Sequence, residues 1–277
     1  MTLFANDHGE TVDAWDAVAK KCYYCLECSA LLKVRKAKNR FPHFYHLKAA
    51  PSCRLYSKSN EHLLVQLEIQ KHLPIGEAVL EKPFPSIHRI ADVAWEKKKI
   101  VFEIQCSSIS EKEACARHSE YQSVGYEVIW ILDDRRFNKK HLRPPEEFLR
   151  KQSCYFVSCR GPLLFYDQLE IVAKHKRVKK TSQMPIHFSK IQSIQPARWP
   201  DNLPSSLHAR ILHCKYFFEN DALYRTLRSF QNPSTLHTMQ NWILLEQFWT
   251  KKEIRTVKTI FHSLFHLYIS LFNKFFN

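Results

Sequence analysis

Two carboxylates and an amide, Asp92, Glu103 and Gln105, fall in a pattern that could hold a divalent cation. They lie in two apolar-alternating runs, Arg89 to Trp95 and Ile100 to Cys106, separated by the charged stretch Glu96 to Lys99. Such a pattern predicts an antiparallel hairpin. With the turn centred between Lys97 and Lys98, Asp92 faces Glu103 whether the loop has two residues or four. Facing side chains on one side of such a pair have Cβ atoms roughly 4.5–5.5 Å apart, close enough to share one cation. Gln105 shares that face, while Phe102, Ile104 and Cys106 point to the other, toward the core. Mg²⁺ or Mn²⁺ takes oxygen ligands and keeps several waters, one of which can attack a phosphodiester while the ion neutralises developing charge. The spacing by itself leans to the plainer reading, two solvent-facing residues of an ordinary hairpin, paired with Arg89 or a lysine.

A second group could bind a softer metal. Cys22, Cys25 and Cys28 recur at intervals of three, followed by His43, His46 and Cys53. A Cys-x₂-Cys knuckle with a later histidine and cysteine supplies four ligands for tetrahedral Zn²⁺. Cys25, Cys28, His46 and Cys53 are the expected set, with His43 competing for the histidine position and Cys22 for a cysteine one. Few apolar residues lie between Lys33 and His43, so a bound metal would supply stability that this segment's own core cannot. Cys106, Cys115, Cys154, Cys159 and Cys214 read as buried small hydrophobes.

The elements that must position these residues have local signals. Ser59 is a plausible N-cap for a helix from Asn60 to Leu73, stopped by Pro74 and Gly76. Ser110 and Glu113 have the form of a capping box, opening a helix that runs to about Ser123 and ends at Gly125. On that helix Arg117 and Tyr121 share a face. Tyr126 to Leu132 then reads as a strand covered on both faces. A strand–helix–strand crossover predicts that it lies parallel to the Ile100 to Cys106 strand. Two further short strands fit Cys154 to Ser158 and Leu163 to Tyr166. Lys174 to Lys180 reads as a linker or basic patch. From about Ala209 the chain reads mostly helical, with Trp242, Phe248 and Trp249 as core aromatics. The segment Thr259 to Phe276 reads as a packed amphipathic helix, because His262, His266 and Asn273 interrupt its apolar run.

Composition bounds the partners. The chain has 277 residues, with 45% hydrophobic and 13% aromatic content, enough for a buried core and two or three packed units. Lys and Arg number 42 against 27 Asp and Glu, a formal charge of +15, which favours a polyanion such as DNA. Nine cysteines, an odd number, point to thiols and metal ligands over a disulfide framework. The polar, acidic start predicts a cytoplasmic protein without a secretory signal, and no stretch predicts a membrane span.

The run Arg89-Ile90-Ala91-Asp92-Val93, then Phe102-Glu103-Ile104-Gln105-Cys106-Ser107, then Ser110, Arg117, Tyr121 and Ile129-Trp130-Ile131-Leu132, resembles the nuclease domain of the competence protein CoiA family. The resemblance covers about Ser59 to Asp133. It implies an α/β fold with a PD-(D/E)XK restriction-endonuclease-like core over residues 58–170. The flanks are then an N-terminal zinc-finger-like module over 1–57 and a mainly helical C-terminal region over 171–277. Asp92 and Glu103 would hold Mg²⁺ (or Mn²⁺), with Gln105 where the superfamily usually has lysine. Glu61 and Glu68 are the further acidic candidates from the preceding helix; Glu61, beside His62, fits the family's Glu/His signature better, although Gln66 stands where a lysine is usual downstream. Arg89, Ser107, Ser110, Arg117 and Tyr121 are the DNA-contact candidates, Arg117 being equally suited to pairing with a carboxylate. The paired cysteines and the His-Phe-x-His element resemble the family's zinc-finger-like segment, which implies a structural Zn²⁺. The implied role is metal-dependent DNA cleavage or processing in recombination of incoming DNA during natural transformation, with recombination proteins as further partners. The alternatives are a non-cleaving DNA-binding scaffold on a nuclease fold and a repair or restriction-like nuclease of another pathway.

Overall fold

A computed structural model describes residues 1–38, 40–56, 58–193, 203–230 and 232–251. The N-terminal segment forms a five-stranded antiparallel sheet. Its strands are β1 (Phe4–Asp7), β2 (Glu10–Asp13), β3 (Tyr23–Tyr24), β4 (Leu31–Ala37) and β5 (Arg40–His46), in the order β2-β1-β3-β4-β5. Its small core gathers Tyr23, Leu32 and Phe44 with Cys25, Cys53 and Leu55.

The chain then runs α1 (Asn60–His72), β6 (Ala78–Phe84), β7 (Arg89–Trp95), β8 (Ile100–Gln105), α2 (Glu111–Ser123) and β9 (Glu127–Asp133). The expected helix starts hold: Ser59 Oγ accepts from His62 N at 3.2 Å, and Ser110 Oγ from Glu113 N at 3.1 Å. Each cap satisfies a backbone donor that has no partner within its helix. Only half of the predicted capping box forms, because the Glu113 carboxylate turns to Arg89 and Arg117. Gly125, at φ +81°, ends the second helix, in the left-handed region where glycine is least penalised.

The predicted hairpin register is the observed one, with Val93↔Phe102, Ala94↔Val101 and Trp95↔Ile100 paired. Glu96–Lys98 form a single 3₁₀ turn and Lys99 is left-handed at φ 52°, so the loop has four residues. β8 and β9 are parallel, as expected for a crossover through α2. α3 (Pro144–Arg150), β10 (Cys154–Ser158) and β11 (Leu164–Asp167) follow, then β12 (Glu170–Ala173), β13 (Lys176–Lys180), β14 (Met184–Pro185) and β15 (His187–Ser193). β10, β11 and β14 complete a seven-stranded mixed sheet of order β14-β11-β10-β9-β8-β7-β6. All seven residues of β9 are buried, because each face of the sheet carries its own apolar layer. On one face α1 packs Leu63, Val65 and Ile69 against Val93, Phe102 and Ile129. On the other α2 packs Ala114 and Tyr121 against Val101, Val128 and Trp130.

The chain ends its described part with α4 (Ser205–His213), β16 (Tyr216–Glu219), α5 (Ala222–Arg228) and a helical run over 233–251. Within the region expected to be mainly helical, residues 171–193 carry strands, with β12 and β13 forming a hairpin and β15 pairing with β16, and the described helices begin at Ser205. The basic run that reads as a linker or basic patch is the turn at Lys174 and His175 followed by β13. It folds as a strand because Arg177 points inward to Glu146 and Glu170, while Lys179 and Lys180 stay exposed. Ile186, Phe188 and Phe218 join the same apolar layer as α1. Trp242 is buried, as expected of a core aromatic, but Phe248 is 57% exposed. The tail Thr259 to Phe276 lies outside the described residues. Among the described residues, no helix is long and apolar enough to cross a membrane.

Candidate active site and metal centre

β7 and β8 carry Asp92 and Glu103 to the floor of a cavity of about 120 Å³, whose walls include Lys58, His62, Gln105, Ser107, Arg117 and Tyr121. The paired backbone of the hairpin stops at Val93↔Phe102. Beyond it Asp92 Oδ2 accepts from the Ile104 backbone N–H at 2.9 Å, so a carboxylate takes the place of a main-chain acceptor. Its other oxygen, Oδ1, lies 2.9 Å from His62 Nε2 and 2.7 Å from Lys58 Nζ. The Asp92 backbone carbonyl accepts from Gln66 Nε2 at 2.8 Å. Gln66 thus clamps the strand from α1.

Glu103 is held from the opposite side by α2. Tyr121 OH donates to Oε1 at 2.9 Å and Arg117 Nη1 to Oε2 at 3.1 Å. The one-face spacing of Arg117 and Tyr121 is realised, and both are used on Glu103. Tyr121, a DNA-contact candidate by sequence, is 1% exposed, and its helix position aims the hydroxyl at Glu103. Arg89 pairs with Glu113 and Glu120 of α2. Ser110 is occupied by its cap. Ser107 is exposed at the cavity's edge and accepts from Gln105 Nε2 at 2.8 Å through its carbonyl.

Asp92, Glu103 and Gln105 are 4%, 3% and 5% exposed, so the charges of the two carboxylates are felt at low dielectric. Burial and the neighbouring Asp92 push the Glu103 carboxyl up to about 7, with Arg117 and Tyr121 pulling the other way. Burial alone would also raise Asp92, but His62 and Lys58 outweigh it and hold Asp92 below the usual carboxylate range. The two acids are thereby driven apart, Asp92 firmly ionised and Glu103 poised near neutrality.

The donor set suits a hard cation. Asp92 and Glu103 offer carboxylate oxygens, and with the Gln105 nitrogen committed to Ser107 its amide oxygen is the atom left for a cation or its water. Glu61 does not line the cavity; its neighbour His62 does, one residue on along α1. Lys58, Arg54 and Glu27 line the cavity and were not singled out by sequence. Lys58 precedes the N-cap of α1, where no periodicity or motif marks it.

The cysteine cluster is assembled by the first sheet. Cys25 follows β3, Cys28 sits in the turn that Ser29 closes at φ 55°, His46 ends β5, and Cys53 lies in the loop beyond. One ligand atom from each of these four residues lies within 4.8 Å of the others. Cys25 Sγ is 3.7 Å from Cys53 Sγ, and Cys28 Sγ is 3.4 Å from His46 Nε2. Tetrahedral bonds of about 2.3 Å to sulfur and 2.0–2.1 Å to nitrogen give edges of roughly 3.5–3.8 Å, so the group could hold a metal such as zinc. Burial pushes the Cys25 and Cys53 thiols up, and a bound cation would be what keeps them as thiolates. Of the competitors, Cys22 is exposed, and the His43 ring is buried with Nδ1 on the Phe41 carbonyl at 2.8 Å.

Residues 58–202 match the family model described as competence protein CoiA, nuclease-like domain. No curated protein and no solved structure matches the chain. The match spans just over half of the 277 residues and includes the cavity residues Lys58, Asp92, Glu103 and Gln105. By that match the chain belongs to the CoiA nuclease-like family.

Proposed function

We propose that this protein is a divalent-cation-dependent deoxyribonuclease acting in recombination of incoming DNA during natural transformation. The observation that carries the reading is the convergence of Asp92, Glu103 and Gln105 on one cavity edged by basic side chains. The order α1, antiparallel β6-β7-β8, α2, parallel β9 supports a PD-(D/E)XK core around them. When bound, Mg²⁺ or Mn²⁺ supplies an acidified water and neutralises charge at the phosphate. Asp92 and Glu103 are the residues that would hold it. Ile104 N and His62 fix the Asp92 carboxylate, Tyr121 and Arg117 fix that of Glu103, and such preorganisation lowers the cost of positioning. Gln105 orients a water through its amide oxygen, and Arg117 reaches the substrate phosphate from the rim. The Cys25, Cys28, His46, Cys53 cluster is read as a structural zinc site.

A second reading, a DNA-binding scaffold that does not cleave, is favoured by one observation. Each carboxylate oxygen of Asp92 and Glu103 already accepts from a protein donor. The deciding experiment is cleavage of single-stranded, duplex and branched DNA with Mg²⁺ or Mn²⁺ by wild type, Asp92→Ala and Glu103→Ala, each shown to be folded by circular dichroism. Cleavage lost in both variants supports the nuclease. DNA binding without wild-type cleavage supports the scaffold, and cleavage that survives both substitutions removes the site from this cavity.

A further inference from the structure

Lys58 reaches the cavity as a buried cation between two acids. Its Nζ lies 2.7 Å from Asp92 Oδ1 and 3.2 Å from Glu81 Oε1, and its side chain is 8% exposed. Glu81 lies across from Asp92, between the pairs Leu80↔Val93 and Lys82↔Ala91. It is held in an unusual way. Its φ of 47° places a non-glycine residue in the left-handed region inside a strand, a conformation that L-residues adopt at a cost. Its other oxygen accepts from Thr2 Oγ1, from Leu3 N at 3.0 Å and from Phe4 N at 3.3 Å. Glu81 is thus pinned by the N-terminal segment, and Lys58 is tethered to a fixed carboxylate on one side and to Asp92 on the other.

The second tether is the informative one. Lys58 sits on Asp92 Oδ1, an oxygen that a divalent cation would use, and an ammonium is a compact point charge with three donors. A cation and Lys58 cannot share that oxygen without strong like-charge repulsion. Glu81, by contrast, is buried and does not line the cavity, and the Met1 ammonium is a second positive charge that acts on it from the N-terminal segment.

We propose that Lys58 is the exchangeable counter-ion of the cavity: anchored by Glu81, it neutralises Asp92 when no divalent cation is bound and yields Oδ1 when one enters. Lys58 then stays on Glu81, keeping a positive charge beside the substrate phosphate where Gln105 brings none. The inference deepens the divalent-cation reading of the site and rests on it.

The test is Mn²⁺ binding to the zinc-loaded, DNA-free protein, followed by the electron paramagnetic resonance of free Mn²⁺ at low ionic strength. Wild type is compared with Lys58→Met, Lys58→Arg and Glu81→Gln, each checked for folding. Removing the ammonium tightens Mn²⁺ binding at least about tenfold, a gain abolished by adding Asp92→Asn, while Lys58→Arg stays near wild type. Glu81→Gln moves affinity the opposite way, several-fold weaker, because Lys58 then has Asp92 as its remaining acid. A merely structural lysine would weaken binding in both Lys58→Met and Glu81→Gln. Mn²⁺ affinity in Lys58→Met within twofold of wild type, weaker, or undetectable overturns the proposal. If Lys58→Met does not fold, Lys58→Gln takes its place and is read by the same tightening, and unchanged affinity in Glu81→Gln overturns the proposal. DNA cleavage on the same proteins separates the two readings: the predicted affinity shifts without wild-type cleavage would sink the nuclease and leave the counter-ion standing, and cleavage without the shifts would do the reverse.

Discussion

Glu27 and Arg54 form an ion pair that joins the knuckle carrying Cys25 and Cys28 to the residue beside Cys53. Both residues also line the Asp92 cavity. Glu27 further accepts from Leu55 N at 3.1 Å and lies 3.3 Å from Cys53 Sγ, and Arg54 Nη2 reaches the His88 carbonyl at 2.5 Å, next to β7. The candidate metal cluster and the candidate active site therefore share a wall.

Losing the metal should consequently disturb the cavity as well as the first sheet. One Zn²⁺ per chain is expected by atomic absorption, lost in Cys25→Ser and Cys53→Ser and retained in Cys22→Ser. Chelation should lower Tm by about 10 °C or more, since ligand that binds only the native state stabilises by mass action. A zinc content unchanged in Cys25→Ser would refute the ligand set.

Glu103 makes stability depend on pH in a defined direction. Its carboxyl is raised from 4.5 to about 7, chiefly by burial and by Asp92, so the native state holds this proton more tightly than the unfolded chain does. Stability contributed by this group is therefore present below about pH 4.5 and lost as pH rises to about 7. In buffer free of Mg²⁺ and Mn²⁺, Glu103→Gln should remove that segment of the urea-unfolding profile. The variant should gain on wild type between pH 5 and pH 8, and a constant difference between the two profiles would show that Glu103 titrates normally.

Arg210 should matter to stability more than any surface charge. Its guanidinium meets Asp167 through bonds of 3.1 and 3.2 Å and lies 3.6 Å from Asp221, with all three side chains at most 3% exposed. Tyr155 OH donates to the same Asp221 at 2.7 Å. Arg210→Met would take from buried Asp221 its cation among the described residues and leave Asp167 with only Arg150, 3.9 Å away, at a cost of about 3–5 kcal/mol in urea denaturation. A loss under about 1 kcal/mol would mean that solvent reaches the cluster.

The Ser110 cap gives a smaller, local test. Ser110→Ala removes the acceptor for Glu113 N and should cost about 1 kcal/mol. Because α2 also carries Arg117 and Tyr121 to Glu103, the loss should appear as faster amide exchange in the first turn of α2. Unchanged exchange there would show that the cap is dispensable.

Much of the core and the cluster that could hold a metal could be read from the chain because the signals are local. Ser59 and Ser110 mark helix starts within a few residues, alternation marks β7 and β8, and their short turn sets the register that puts Asp92 opposite Glu103. Cys25 and Cys28 lie on one tight turn, so their spacing alone brings two sulfurs together. What only the tertiary structure decided are the partners contributed from a distance. Lys58 meets Asp92 and Glu81 on two different strands, and His62 faces the cavity where Glu61 does not, since one residue along α1 turns a side chain by about 100°. The strand fate of the Lys174 to Lys180 run was likewise hidden, because it depends on Arg177 finding Glu146 and Glu170. Charge and periodicity say which residues could pair; which of them do is set by packing that brings together positions far apart in the chain.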